Sequence, residues 1–232
     1  MRKLIFIVSS LLLFLSLSSP RGFSQMSPGD SPEETAERLQ LRIDSIKSLS
    51  FTFNQQTRGE MTGRPRKGSG RAIFYKGNSK SFMRWDYISP DKQVIVSDGN
   101  VFSMYFENLN QMIVTPAENF EKELTYSFFT GNGNLKKNFH ILPPNQEYSG
   151  PIENSRVIKL VPIQPHPQVQ DIHLWVTESS LIRRMTIRDH FGTLTILNFS
   201  DIQVDTLAEA DKKTLQSIFS FTPPDDTEII EQ

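Results

Sequence analysis

Ser81-Phe82-Met83-Arg84-Trp85-Asp86-Tyr87-Ile88 alternates large apolar side chains with polar ones, putting Met83, Trp85 and Tyr87 on one side and Arg84 and Asp86 on the other. A period of two is the mark of a half-buried β-strand. The residues that follow, Gln93-Val94-Ile95-Val96-Ser97 and then Val101-Phe102-Ser103-Met104-Tyr105-Phe106, are apolar enough for two more strands. Between them stands Asp98-Gly99, a tight-turn pair. Three strands joined by short turns leave no room for a crossover helix, so the segment is an antiparallel meander.

The same texture extends in both directions. Strands are expected near 50–57, 70–76, 81–88, 92–97, 100–106, 110–115, 136–142, 155–162, 169–177, 181–189 and 192–200. Two helices break the pattern. Ser31-Pro32-Glu33-Glu34 is a capping signature, and Ala36, Leu39, Ile43 and Ile46 recur at helical spacing behind it. Thr115-Pro116-Ala117-Glu118 announces the second, with Phe120, Leu124 and Phe128 on one face and Gly131-Asn132-Gly133 as its stop. The expected fold is mainly β with an α lid: one long antiparallel sheet of about 11 strands, half-closed and covered on its open side by two amphipathic helices.

The chain begins with Arg2 and Lys3, an apolar run from Leu4 to Leu17 and small residues up to Ser24. That is the pattern of a cleaved secretory leader spanning 1–24, which leaves 25–232 as a single exported domain. No later stretch is long and apolar enough for a transmembrane helix. The 25 basic and 26 acidic residues nearly balance, which argues against general nucleic-acid binding. Cysteine is absent, which removes thiol nucleophiles, thiolate metal sites, disulfides and the acylated cysteine of a lipoprotein anchor. Seventeen phenylalanines against two tryptophans and five tyrosines point to a demand for apolar volume.

Signs of catalysis are lacking. His140, His166, His173 and His190 are scattered without metal-ligand spacing, and His173, flanked by Ile172 and Leu174, reads as a strand-surface residue. No nucleophile elbow or phosphate loop occurs, and Asp98 or Asp189 would need a distant histidine to act in hydrolysis. No enzyme activity, catalytic residue, cofactor or metal is expected. One charge feature stands out: Arg58, Arg64, Arg66, Lys67 and Arg71, in a hairpin connection. It reads as a solvated loop, or as a docking surface for an acidic partner or anionic headgroups.

Phe82-Met83-Arg84-Trp85-Asp86-Tyr87, with Pro90, Gln93 and Val96-Ser97-Asp98-Gly99, resembles the core signature of the LolA family, the periplasmic carriers of outer-membrane lipoproteins. Further pieces agree in order: Phe51-Thr52-Phe53-Asn54-Gln55, Tyr105 and Gln111, Asp189 with Gly192-Thr193, and the closing Phe219-Ser220-Phe221-Thr222-Pro223-Pro224. The resemblance implies an open, incomplete barrel around a hydrophobic cavity. It also implies a function: taking acylated lipoproteins from an inner-membrane ABC-type exporter and delivering them to an outer-membrane receptor or membrane. On that reading Phe51, Phe53, Met83, Trp85, Tyr87, Phe102 and Met104 line the acyl-chain cavity. Leu39, Ile43 and Ile46, with Phe120, Leu124 and Phe128, form the underside of the lid. The family's lid-latching arginine has no counterpart; Lys76 or Lys80 stands in that stretch. The carrier is expected to be a periplasmic monomer. The alternatives are a carrier of another lipid, glycolipid or pigment, and a module that senses lipoproteins or lipids.

Overall fold

The computed structural model describes residues 31–59, 64–119, 129, 133–148 and 154–232. The leader expected over 1–24 and the lid residues Phe120, Leu124 and Phe128 lie outside the described residues. Helix α1, Pro32–Ser45, begins as its sequence dictates. The Glu34 N–H donates to Ser31 Oγ at 3.1 Å while the Ser31 N–H donates to Glu34 Oε2 at 2.7 Å, a complete capping box. The helix stops one residue short of Ile46, which is extended and buried as the chain turns into the sheet.

The strands are β1 (Ser48–Arg58), β2 (Arg66–Lys76), β3 (Ser81–Ser89), β4 (Gln93–Ser97), β5 (Val101–Phe106), β6 (Gln111–Pro116), β7 (Phe139–Leu142), β8 (Ser155–Pro162), β9 (Asp171–Thr177), β10 (Ile182–Arg188), β11 (Leu194–Val204) and β12 (Glu228–Glu231). They form one open sheet in the order β12-β6-β5-β4-β3-β2-β1-β11-β10-β9-β8-β7. Its ends, β12 and β7, do not pair, so the barrel is incomplete.

Several boundaries differ from the sequence reading, each for a local reason. The sheet has twelve strands rather than eleven. The addition, β12, is short and pairs parallel to β6 from Glu228 opposite Gln111 to Glu231 opposite Val114, the one departure from antiparallel pairing among the described strands. Glu228-Ile229-Ile230-Glu231 has no alternation to betray it. The start of the strand expected at 136–142 is a helical turn, α2 (Leu135–Asn138), because the Asn134 side chain caps it by accepting the Lys137 N–H at 2.9 Å. The basic run is not loop throughout. Arg58 ends β1, while Arg66, Lys67 and Arg71 lie within β2.

His173 is a correction. It was expected on a strand surface and is fully buried, because β9 is covered on both faces. The segment around Asn145 and Tyr148 lies across the outer face. The Tyr148 ring centres 4.4 Å from His173, and the Asn145 N–H donates to His173 Nε2 at 3.3 Å. Asp171 sits beneath, its Oδ1 3.4 Å from His173 Nδ1. Burial raises the Asp171 carboxyl, but His173, Lys159 and Arg188 together outweigh it and hold the group below the usual carboxylate range.

After β11 the chain forms α3 (Lys212–Ile218), capped by Asp211, and then straps the outer face on its way to β12. Arg84 Nη1 donates to the carbonyls of Ile218 at 3.0 Å and Ser220 at 3.1 Å. Phe219, buried, packs on Phe82, and Phe221 packs on Tyr105.

Candidate functional site

The concave face is built on complementary rows across β1, β2 and β3. Phe51, Ala72 and Trp85 are register partners in one row, and Phe53, Gly70 and Tyr87 in the next. Each small β2 residue lets two large rings meet above it. Phe51 and Trp85 are 5.7 Å apart edge to face, and Phe53 and Tyr87 are 4.8 Å apart. Such edge-on aromatic contacts add to the stabilisation from burial alone. Gly70 has no alternative here: a Cβ on it would lie 1.9 Å from the Asp86 carbonyl oxygen.

Above this floor, α1 covers the sheet without sealing it. Its buried Ala36 and Leu39 join the core, and Gln40 fastens the helix to the chain near α2. Gln40 Oε1 accepts the Leu135 N–H at 2.9 Å while its Nε2 donates to the Gly133 carbonyl at 3.2 Å. Between α1 and the ends of β1, β2, β10 and β11 a narrow apolar cleft opens, about 530 Å³ with the open solvent at its mouth included. Leu39, Ile43, Ile46, Leu49, Phe51, Phe74, Phe129, Leu181, Ile182 and Ile202 line it. Among the described residues, the polar ones on it are Lys47, Ser48, Lys76 and Ser180.

The two candidate latch lysines part company. Lys76 ends β2, and its Nζ donates to the carbonyl of Ile43 in the last turn of α1. A cation there also meets the negative end of the helix dipole. Burial lowers the Lys76 pKa from the ordinary lysine value, against the opposing pull of Asp44 and Asp205. Lys80 instead donates to Asn100 Oδ1 at the β4–β5 turn, away from α1.

Of the seven residues expected to line a cavity, Phe51 borders the cleft. Phe53, Met83, Trp85 and Phe102 are buried in the continuous core below it, with Tyr87 and Met104 packed at its margin. Leu39, Ile43 and Ile46 do face the cleft from the α1 side. Sequence reasoning passed over Phe74, Phe129, Ile182 and Ile202. Phe74 was legible, sharing parity with Ala72 in an expected strand, whereas Ile202 lies beyond the expected end of β11 at 200. Phe129, helical and buried, is one position past the face on which Phe128 was placed. Its ring lies 5.0 Å from Phe74, 5.3 Å from Phe51 and 6.0 Å from Trp85, so it plugs the core just under the cleft.

The polar groups elsewhere serve structure. Asp98 accepts the N–H groups of Asn100 and Val101, and Asp189 those of Phe191 and Thr193. Both carboxylates cap turns. Among the described residues no cluster of three or more His, Asp or Glu could hold a metal ion. At the opposite end of the sheet a polar hollow, about 820 Å³ with open solvent included, opens beside Gln55, Arg66, Lys67 and Tyr87. The Tyr87 hydroxyl donates to Gln55 Oε1 at 2.8 Å, and burial pushes its pKa up to about 12, so it remains a donor at any physiological pH.

Comparison with known proteins reports a match of residues 44–221, most of the chain, to the family model described as outer membrane lipoprotein carrier protein LolA. An outer-membrane lipoprotein carrier protein of Methylococcus capsulatus is 29% identical over 194 residues, covering 84% of this chain and 86% of that one. The protein of the same name from Nitrosomonas europaea is 26% identical, covering 86% and 91% respectively. Among solved structures, a LolA superfamily protein from Nitrosomonas europaea is 16% identical and covers 83% of this chain and 99% of that one, at a TM-score of 0.41.

Proposed function

Because the chain belongs to the LolA family of outer membrane lipoprotein carriers, we propose that the cleft under α1 receives the acyl chains of lipoproteins and that the protein ferries them across the periplasm. It takes them from an inner-membrane exporter and gives them up at the outer membrane, after residues 1–24 have been removed as a leader. The observation that carries this reading is a cleft that opens beneath a tethered helix and is apolar at ten of its fourteen described lining residues.

A carrier must hold its load and release it. Each methylene hidden from water stabilises the complex by about 0.8 kcal/mol, so an acyl chain gripped along its full length would not leave. The packing below the cleft supplies the counterweight. Phe129 already fills the space over Phe51, Phe74 and Trp85. An entering chain exchanges those ring contacts for its own, and the net gain falls to a reversible range. Lys76 adds a second restraint, because a lid that swings away from β2 must first surrender the hydrogen bond to Ile43.

The test is uptake of a diacylated fluorescent lipopeptide by the purified chain. Ile43 is partly buried at the rim of the cleft, so Ile43→Glu can turn its carboxylate to water and leave the fold intact. The expected result is a thermal midpoint close to that of the unaltered protein and uptake reduced by at least about tenfold, since a charge in the cleft wall must be desolvated when the chain enters. Normal uptake by a folded Ile43→Glu protein would remove the cleft from consideration.

The latch has its own measurement. Lys76→Met keeps the length and apolar stem of the side chain but loses the donor. Amide hydrogens of α1 are expected to exchange about tenfold faster or more, the loss of one charge-assisted hydrogen bond, while those of β1 and β3 stay slow. Unchanged exchange in α1 would show that Lys76 holds nothing closed.

A further inference from the structure

One end of the sheet collects five turns, because Arg58 pairs with Leu194, Arg188 with Asp171, Ser69 with Ser89 and Gln93 with Phe106. The apolar cleft opens at the other end, beside Ser48, Lys76 and Ser180. At the turn end Arg58, Arg64, Arg66 and Lys67 are all exposed. Among the described residues none of the four pairs with a carboxylate. Residues 58–71 hold five basic side chains against the single acid Glu60, in a chain whose net charge is −1.

Phe191 stands beside this patch, three positions before the residue that pairs with Arg58. It is 84% exposed, the most exposed of the large hydrophobic residues described. The turn that carries it is firmly built. Asp189 Oδ1 accepts the N–H groups of Phe191 at 2.8 Å and Thr193 at 2.7 Å, and Gly192 takes the positive φ of 78° that the turn requires. His190 Nε2 lies 2.9 Å from the His166 carbonyl oxygen, tying this turn to the β8–β9 connection. The ring thus stands in water, with no ring contact among the described residues, next to cations that pair with no described carboxylate, and the exposed Ile88 lies near the end of β3 at the same end of the sheet.

We propose that this end of the molecule docks on an anionic phospholipid bilayer, with Phe191 entering the headgroup region while Arg58, Arg64, Arg66 and Lys67 meet the phosphates. Basic side chains flanking an apolar one that is held outward are what an interface of charged headgroups over hydrocarbon attracts. An acidic protein would answer the charges but gives no role to the outward phenylalanine. Docked this way, the protein keeps its cleft mouth on the far side, facing solution. Membrane attachment and loading then use different surfaces, so each is tested without the other.

Flotation of residues 25–232 with phosphatidylcholine vesicles, with or without phosphatidylglycerol, tests the proposal. Binding is expected only when phosphatidylglycerol is present, and it should fall as salt is raised. Each of Arg58→Gln and Arg66→Gln should weaken it about fivefold, the worth of one basic residue at an anionic surface. Phe191→Ser should weaken it about tenfold or more, the loss of a buried apolar side chain. All three positions are exposed, so the variants fold, and lipopeptide uptake should be unchanged. Equal binding to both vesicle types, or none to either, overturns the proposal. So does a loss seen with the arginine variants but not with Phe191→Ser, which would assign the patch to an acidic macromolecule instead.

Discussion

Phe53→Ala is expected to cost about 3–5 kcal/mol of folding stability, the largest loss of any single truncation on the concave face. Phe53 is completely buried, with Trp85 at 4.7 Å and Tyr87 at 4.8 Å between ring centres. Its neighbours cannot close in on the space left behind. Trp85 is held by its own edge contact with Phe51 and Tyr87 by its bond to Gln55, while β2 beneath offers only Gly70. The cost therefore includes a cavity as well as lost burial. Urea unfolding measures it: the midpoint should fall sharply with the slope unchanged. A loss below about 1.5 kcal/mol would mean that the aromatic rows slide together, and that the floor is softer than its packing indicates.

The second large effect comes from adding a single carbon. Gly70→Ala places a Cβ 1.9 Å from the Asp86 carbonyl oxygen and 3.0 Å from the Phe53 ring, so β2 and β3 must separate locally and the Phe53 ring must give way as well. Overpacking of this kind costs about 1–3 kcal/mol, and contact with backbone rather than a flexible side-chain tip puts Gly70→Ala at the upper end. The control lies two residues away in the same strand. A Cβ on Gly68 meets nothing nearer than 3.4 Å, so Gly68→Ala should be neutral or slightly stabilising through the unfolded chain. Measured side by side in urea, the two substitutions should differ by about 2 kcal/mol or more. Equal effects would show that the rows do not depend on the small residue in the middle.

The rows also explain which parts of the fold could be read from sequence. Met83, Trp85 and Tyr87 announce one face by parity, and with Asp98-Gly99 they fix three strands and their turns. Alternation is a local property, so β1 to β6 and β8 to β11 are visible wherever one face of the sheet is wet. His173 fails for the same reason in reverse: an alternating polar residue reads as a wet one, but the segment holding Asn145 and Tyr148 covers that side. Sequence does not show which outer faces the chain will return to cover. β12 has no alternation and exists because β6 offers an edge.

The cleft was less legible than its floor. Parity identified the residues that point inward, and these are mostly packed core. What makes an opening is the distance between α1 and the ends of the strands, which no periodicity encodes. Ile43 was found through its helical spacing, whereas Ile182 and Ile202 enter the cleft because β10 begins and β11 ends where they do. Lys76 shows both outcomes. Its position in the chain marked it as a candidate, but only the fold separates it from Lys80 by bringing the carbonyl of Ile43 to its amine.

The strap from Phe219 to β12 has a consequence in time as well as in space. A polypeptide is made, and exported, beginning with its amino terminus. β1 to β11 can therefore find their partners before residues 228–231 arrive. Until then β6 carries a bare row of N–H and C=O groups, the kind of edge on which one copy adds to another. Every residue of the cleft is already in place at that stage. Maturation is thus asymmetric: the machinery is assembled first, and the strand that covers the edge of β6 comes late. A chain interrupted between Phe221 and Glu228 would look competent inside and leave β6 bare at its rim.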